Sequence, residues 1–80
     1  MPKLKSLSGI ELIKLFEEQG FIVYSQKGSH IKLRRTFGNE KQTLLIPNHK
    51  FIDKGTLKAI VRQSSRYIPG DIINKIFYTD

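Results

Sequence analysis

The sequence predicts an α+β fold: a helix, three strands of an antiparallel sheet, then a second helix and a short third one, with the helices on one face of the sheet. Three observations carry that reading. Apolar residues recur at helical spacing up to Gly20, at strand spacing from Phe21 to Ile46, and at helical spacing again after Asp53. Elements of one type are grouped rather than alternating, which favours a small antiparallel sheet over parallel β-α-β units. The chain has 80 residues, 39% of them hydrophobic, enough for one thin core and no large cofactor crevice, so residues 1–80 are read as one domain.

The first helix opens at Ser8-Gly9-Ile10-Glu11, which has the form of a capping box: the Ser oxygen takes the N–H three residues on, and the Glu reaches back. Ile10, Ile13 and Phe16, flanked by Leu12 and Leu15, supply the buried face. Gly20 ends the helix, predicted to run from Gly9 to Gln19, in a left-handed conformation. Phe21 to Gln26 is β-branched and aromatic, Lys27-Gly28-Ser29 is a turn, and His30 to Arg35 alternates polar and apolar as a half-buried strand does. Phe37-Gly38-Asn39-Glu40 is a second turn, and Gln42 to Ile46 a third strand stopped by Pro47. Asp53 caps the second helix, with Leu57, Ile60 and Val61 as its apolar face. Pro69 begins the third, whose apolar set is Ile72, Ile73, Ile76 and Phe77.

Charge narrows the function. Fourteen Lys and Arg oppose seven Asp and Glu, a net +7, which favours a polyanionic partner. The excess is concentrated: between Gln26 and Lys50 stand Lys27, Lys32, Arg34, Arg35, Lys41 and Lys50 against Glu40 alone. No apolar run reaches the roughly 20 residues of a membrane helix. The amino-terminal stretch lacks the apolar core of a signal peptide. A cytoplasmic protein without a membrane partner is the expectation. The absence of cysteine removes disulfides and thiolate metal sites.

The stretch Gln26-Lys27-Gly28-Ser29-His30-Ile31-Lys32-Leu33-Arg34-Arg35 is the candidate site. If Ile31 and Leu33 point to the helices, the period of two turns His30, Lys32 and Arg34 to the open face. Backbone N–H groups of the Gly-Ser turn can approach a phosphate, and Lys32 and Arg34 can stabilise charge on a transferring phosphoryl group. Imidazole, with an ordinary pKa near 6.5, can give or take a proton at neutral pH. His30 is therefore the candidate catalyst of RNA cleavage, in which a 2′-hydroxyl attacks its adjacent phosphate. Lys27, Lys32, Arg34 and Arg35 are candidate phosphate contacts. His49, in the loop Pro47-Asn48-His49-Lys50, is the candidate second histidine.

Other chemistries fit less well. The carboxylates are dispersed rather than clustered as two-metal nucleases require, and no histidine lies at ligand spacing from His30, so neither a metal nor a cofactor is expected. Ser29 and His30 face opposite ways on a strand and make a poor nucleophile and base pair. Asp53-Lys54-Gly55-Thr56 is either an ordinary helix cap or a phosphate site made of a helix start and the Lys54 ammonium.

In order, ELIKLFEEQGF, VYSQKGSHIKL with Gly-Ser-His, the Pro-x-His loop IPNHK, and DKGTLKAIVRQ resemble the HicA (YcfA-like) family of small toxin ribonucleases, over roughly residues 8–65. The resemblance implies a fold like the double-stranded-RNA-binding domain and metal-independent endonucleolytic cleavage of mRNA that arrests translation. It also implies a HicB-type antitoxin as partner, the toxin being monomeric alone and hetero-oligomeric with it. By position the family's catalytic histidine falls on His30, with Gly28 and Ser29 shaping its turn. Two positions depart from the pattern: Ile31 stands where many members have a second histidine, and Gln63-Ser64-Ser65 replaces the usual Gln-Ala-Gly. A non-catalytic RNA-binding module and a docking surface for an acidic protein are the competing expectations for the same basic face.

Overall fold

Ser8 and Glu11 start the first long element as the sequence predicts. In a computed structural model of the chain, which describes residues 2–79, the Glu11 N–H donates to Ser8 Oγ at 3.1 Å and the Ser8 N–H donates to the Glu11 carboxylate at 2.8 Å. Two residues of β1 (Lys3–Leu4) precede this helix, α1 (Gly9–Glu17). Gly9, Leu12, Ile13 and Phe16 form its buried stripe. Ile10, expected in that stripe, is instead 57% exposed, because it lies one helical step to the side of Gly9. The last turn is also shorter than expected: Gln19 and Gly20 donate to the Phe16 and Glu17 carbonyls, and Gly20 has φ +95°.

Three strands follow, β2 (Ile22–Lys27), β3 (His30–Phe37) and β4 (Glu40–Pro47), paired antiparallel in the order β2-β3-β4. Ile31 lies opposite Ile46 and Leu33 opposite Leu44, and all four side chains are buried on the helix side. Each fully buried side chain of this kind contributes about 1.5–3 kcal/mol. The helices α2 (Lys54–Ser64) and α3 (Gly70–Phe77) complete the inner layer, with Leu57, Ile60, Ile73, Ile76 and Phe77 in the same cluster. Pro69 takes the position before the first helical residue of α3 rather than the first helical position itself. At the centre Phe16 meets Phe21 and Phe77 with ring centroids 5.9 and 6.0 Å apart.

One pairing had no sequence signal. The short strand β5 (Tyr78–Thr79) pairs with β1, Lys3 opposite Thr79 and Leu4 opposite Tyr78, and ties the two ends of the chain together. Two-residue strands carry no periodicity from which to read them.

Both helix caps make stability depend on pH. The Ser8 backbone N–H, then its hydroxyl, lower the Glu11 pKa, and the Thr56 hydroxyl, then its N–H, lower that of Asp53. A carboxylate whose folded pKa lies below its unfolded value adds stability above the unfolded pKa and loses it as pH falls through the folded one. Stability from both caps should thus be complete above about pH 5 and lost progressively below about pH 4. Thermal unfolding between pH 7 and pH 3 should show this decline, and Glu11→Gln together with Asp53→Asn should flatten it.

Candidate functional site

A two-residue turn delivers His30. Gly28 has φ +60°, the left-handed value that a tight turn between twisted strands demands. The Gln26 side-chain amide donates to the Gly28 carbonyl at 3.0 Å. On the far side the Asn48 N–H donates to the Ser29 carbonyl at 2.6 Å, so the loop after β4 is bonded to this turn. His30 is the first residue of β3, opposite Lys27 of β2 and Pro47 of β4, and is exposed.

Beyond Pro47 the sheet ends in a cleft. Because β4 pairs, among the described residues, only with β3, its other edge faces α2, and there the Leu45 N–H donates to Gln63 Oε1 at 2.9 Å. The cleft, about 420 Å³, is bounded by His30, Leu45, Pro47, His49 and, from the start and body of α2, Asp53, Thr56, Ala59 and Gln63. His30 and His49 thus line one cleft, although 19 positions separate them in the chain. Sequence spacing names both residues but carries no sign of the cleft or of Leu45, Ala59 and Gln63 as its walls.

The path of the His49 loop is set by Gly9. Its N–H donates to the His49 carbonyl at 2.8 Å, and a Cβ at this position would run into the Pro47 carbonyl oxygen and stand 2.9 Å from Asn48 Cα. Gly9→Ala should therefore push α1 away from the loop, costing about 1–3 kcal/mol as other overpacking changes do, and should displace His49 from the cleft. Gly70→Ala is the control. Among the described residues nothing lies within 4 Å of a Cβ there, and φ is ordinary. Chemical denaturation of both variants checks the contrast.

The cationic residues divide between the two faces of the sheet. Lys27 is exposed, and Lys32 and Arg34 are half-buried on the same side as His30. The Arg34 guanidinium lies 3.7 Å from the Tyr24 ring centroid, and no acceptor among the described residues meets its buried Nε. Arg35 does not belong with them. It shares the inward parity of Ile31 and Leu33, and its guanidinium donates to Gln42 Oε1, the Gln19 carbonyl and the Tyr67 carbonyl at 2.8, 2.8 and 3.1 Å. Those bonds make Arg35 a brace across the end of α1, β4 and the segment after α2.

At the start of α2 the Asp53 carboxylate takes both the Thr56 N–H, at 3.1 Å, and the Thr56 hydroxyl, at 2.7 Å. This is the helix-cap alternative for Asp53-Lys54-Gly55-Thr56. Lys54 is exposed beside the cap. Among the described residues, no three His, Asp or Glu side chains are placed to share a metal ion, and no helix is long and apolar enough to cross a membrane.

Neither the curated proteins nor the solved structures include a match to this chain. A family model does match: the HicA toxin of bacterial toxin-antitoxin pairs, over residues 9–65, from the first residue of α1 to just past the end of α2. That span takes in the Gly-Ser-His turn, all three sheet strands, the His49 loop and the capped start of α2. The chain belongs to the HicA toxin family, whose toxins are paired with an antitoxin.

Proposed function

We propose that this toxin is a metal-independent endoribonuclease that cleaves mRNA with His30 and arrests translation. The observation that carries this reading is the placement of His30 at the end of a cationic sheet face and on the rim of a cleft that His49 also lines.

The chemistry follows from those groups. The 2′-oxygen of a ribose attacks the adjacent phosphorus, the bond from phosphorus to the 5′-oxygen breaks, and the products are a 2′,3′-cyclic phosphate and a free 5′-hydroxyl. One imidazole removes the 2′-hydroxyl proton and the other returns a proton to the departing oxygen, His30 and His49 dividing the two transfers. Each positioned transfer is worth roughly 10²–10⁴-fold. Lys27, Lys32 and Arg34 hold the phosphates and offset the charge that builds at phosphorus. Gly28 and Ser29 present the turn, and Lys54 adds a positive charge at the mouth of α2.

The partner that restrains this activity is a HicB-type antitoxin, which would inhibit by covering the His30 face, giving a hetero-oligomer in the cytoplasm from a toxin that is monomeric alone. The order of helices and strands supports kinship with the double-stranded-RNA-binding domain. The deciding experiment is cleavage of a labelled mRNA in the presence of EDTA by wild type and by His30→Ala, with both checked for folding by circular dichroism. Cutting by the first and not the second supports the proposal. Binding by both without cutting would make the chain a non-catalytic RNA-binding module.

A further inference from the structure

We infer that the open face of the sheet carries a stacking site for an unpaired base, built from Tyr24 and Arg34, so that this toxin grips single-stranded RNA at a second point away from His30. The inference rests on the ribonuclease reading above and deepens it.

The local fold builds the site. The β2-β3 register shifts between Val23 and Ser25, leaving Tyr24 as the extra residue of a bulge, a device that re-aims a side chain out of the regular alternation. There the ring receives the Arg34 guanidinium 3.7 Å from its centroid, yet 54% of Tyr24 remains exposed. The guanidinium holds the ring in place before any ligand arrives, which lowers the cost of ordering it on binding. A ring clamped on one side and open to water is a platform.

What surrounds the platform selects the ligand. Ile22 lies opposite Arg34 and is 64% exposed, and Leu45 lies opposite Lys32 and is 45% exposed. Apolar and cationic side chains are therefore interleaved on one face. A phosphate backbone satisfies the cations, and only a base whose flat face is uncovered can satisfy the ring and the apolar neighbours. Duplex RNA hides those base faces in its stack. Arg34 is four residues along β3 from His30, about 13 Å at strand spacing, so the stacked base is not one that flanks the cleaved bond.

The test uses the full chain carrying His30→Ala, so that RNA is bound and not cut, with fluorescence anisotropy as readout. The probes are a labelled single-stranded oligoribonucleotide, the same strand annealed into a duplex, and a series with one abasic site at successive positions. Adding Tyr24→Ala should weaken binding of the single strand roughly five- to 150-fold with little change in salt dependence, and Tyr24→Phe should restore it. One abasic position should weaken the Tyr24 protein by a similar factor and add nothing to Tyr24→Ala, as coupled partners do. Unchanged affinity in Tyr24→Ala, fully additive abasic losses, or equal affinity for the duplex would overturn the stacking site. Loss of binding to a purified antitoxin with RNA affinity intact would assign the face to the protein partner and overturn it too. These failures leave the ribonuclease reading standing; failure of wild type to cut any RNA would remove that reading instead.

Discussion

A His30→Ala variant should cut RNA roughly 10²–10⁴-fold more slowly than wild type while binding it with nearly the same affinity. The split between rate and affinity follows from where the charges are. Lys27, Lys32 and Arg34 stay in place when the imidazole goes, because His30 is exposed at the end of β3 and neither of its ring nitrogens holds another described residue. His30 is also absent from the buried cluster, so its loss should not move the unfolding transition. His49→Ala should slow cleavage as well. The double variant should fall short of the product of the two single losses, since groups that act in one step are not additive. Single-turnover rates with saturating protein separate these effects from binding.

The largest effect on stability should come from a residue that the charge pattern alone would assign to RNA. Arg35→Ala leaves Gln42 Oε1 and the Gln19 and Tyr67 carbonyls without their donor, and withdraws the guanidinium stacked 4.7 Å from the Phe21 ring centroid. Stranding partly buried acceptors of this kind costs about 2–4 kcal/mol. In a chain of this size that lowers Tm on the order of 10–30 °C. Arg35→Lys keeps the charge but cannot reproduce a planar fork with three acceptors, so it should recover only a fraction. Differential scanning calorimetry of both variants measures the loss.

Arg35 also shows where sequence reasoning succeeds and where it stops. Alternation along β3 correctly sends Ile31 and Leu33 inward and His30, Lys32 and Arg34 outward, because a strand has a period of two whatever it packs against. The same parity sends Arg35 inward. Charge argued the other way, and the carbonyls that accept an inward guanidinium belong to the end of α1 and the segment after α2, which local sequence does not bring near β3. Helix starts were legible for the opposite reason. Ser8 with Glu11, and Asp53 with Thr56, close their bonds within three residues.

The site was readable only in part. The Gly-Ser-His turn and its basic neighbours could be named from the sequence. The cleft could not, because it depends on Gln63 reaching the edge of β4 and on Gly9 and Ser29 anchoring the His49 loop. Tyr24 was hidden by the bulge, which breaks the alternation that would have assigned it a face. Ile10 was misplaced because three apolar residues at helical spacing offered two overlapping stripes, and packing chose the one through Gly9.

Wild-type protein incubated with a defined single-stranded RNA in EDTA, followed by mass spectrometry of the fragments, puts the proposed chemistry to its most direct test. Attack by the 2′-oxygen under histidine catalysis predicts fragments ending in 2′,3′-cyclic phosphate paired with fragments beginning in a 5′-hydroxyl, formed roughly 10²–10⁴-fold more slowly by His30→Ala. Fragments bearing 3′-hydroxyl and 5′-phosphate ends, or the same products formed by His30→Ala at the wild-type rate, would contradict it.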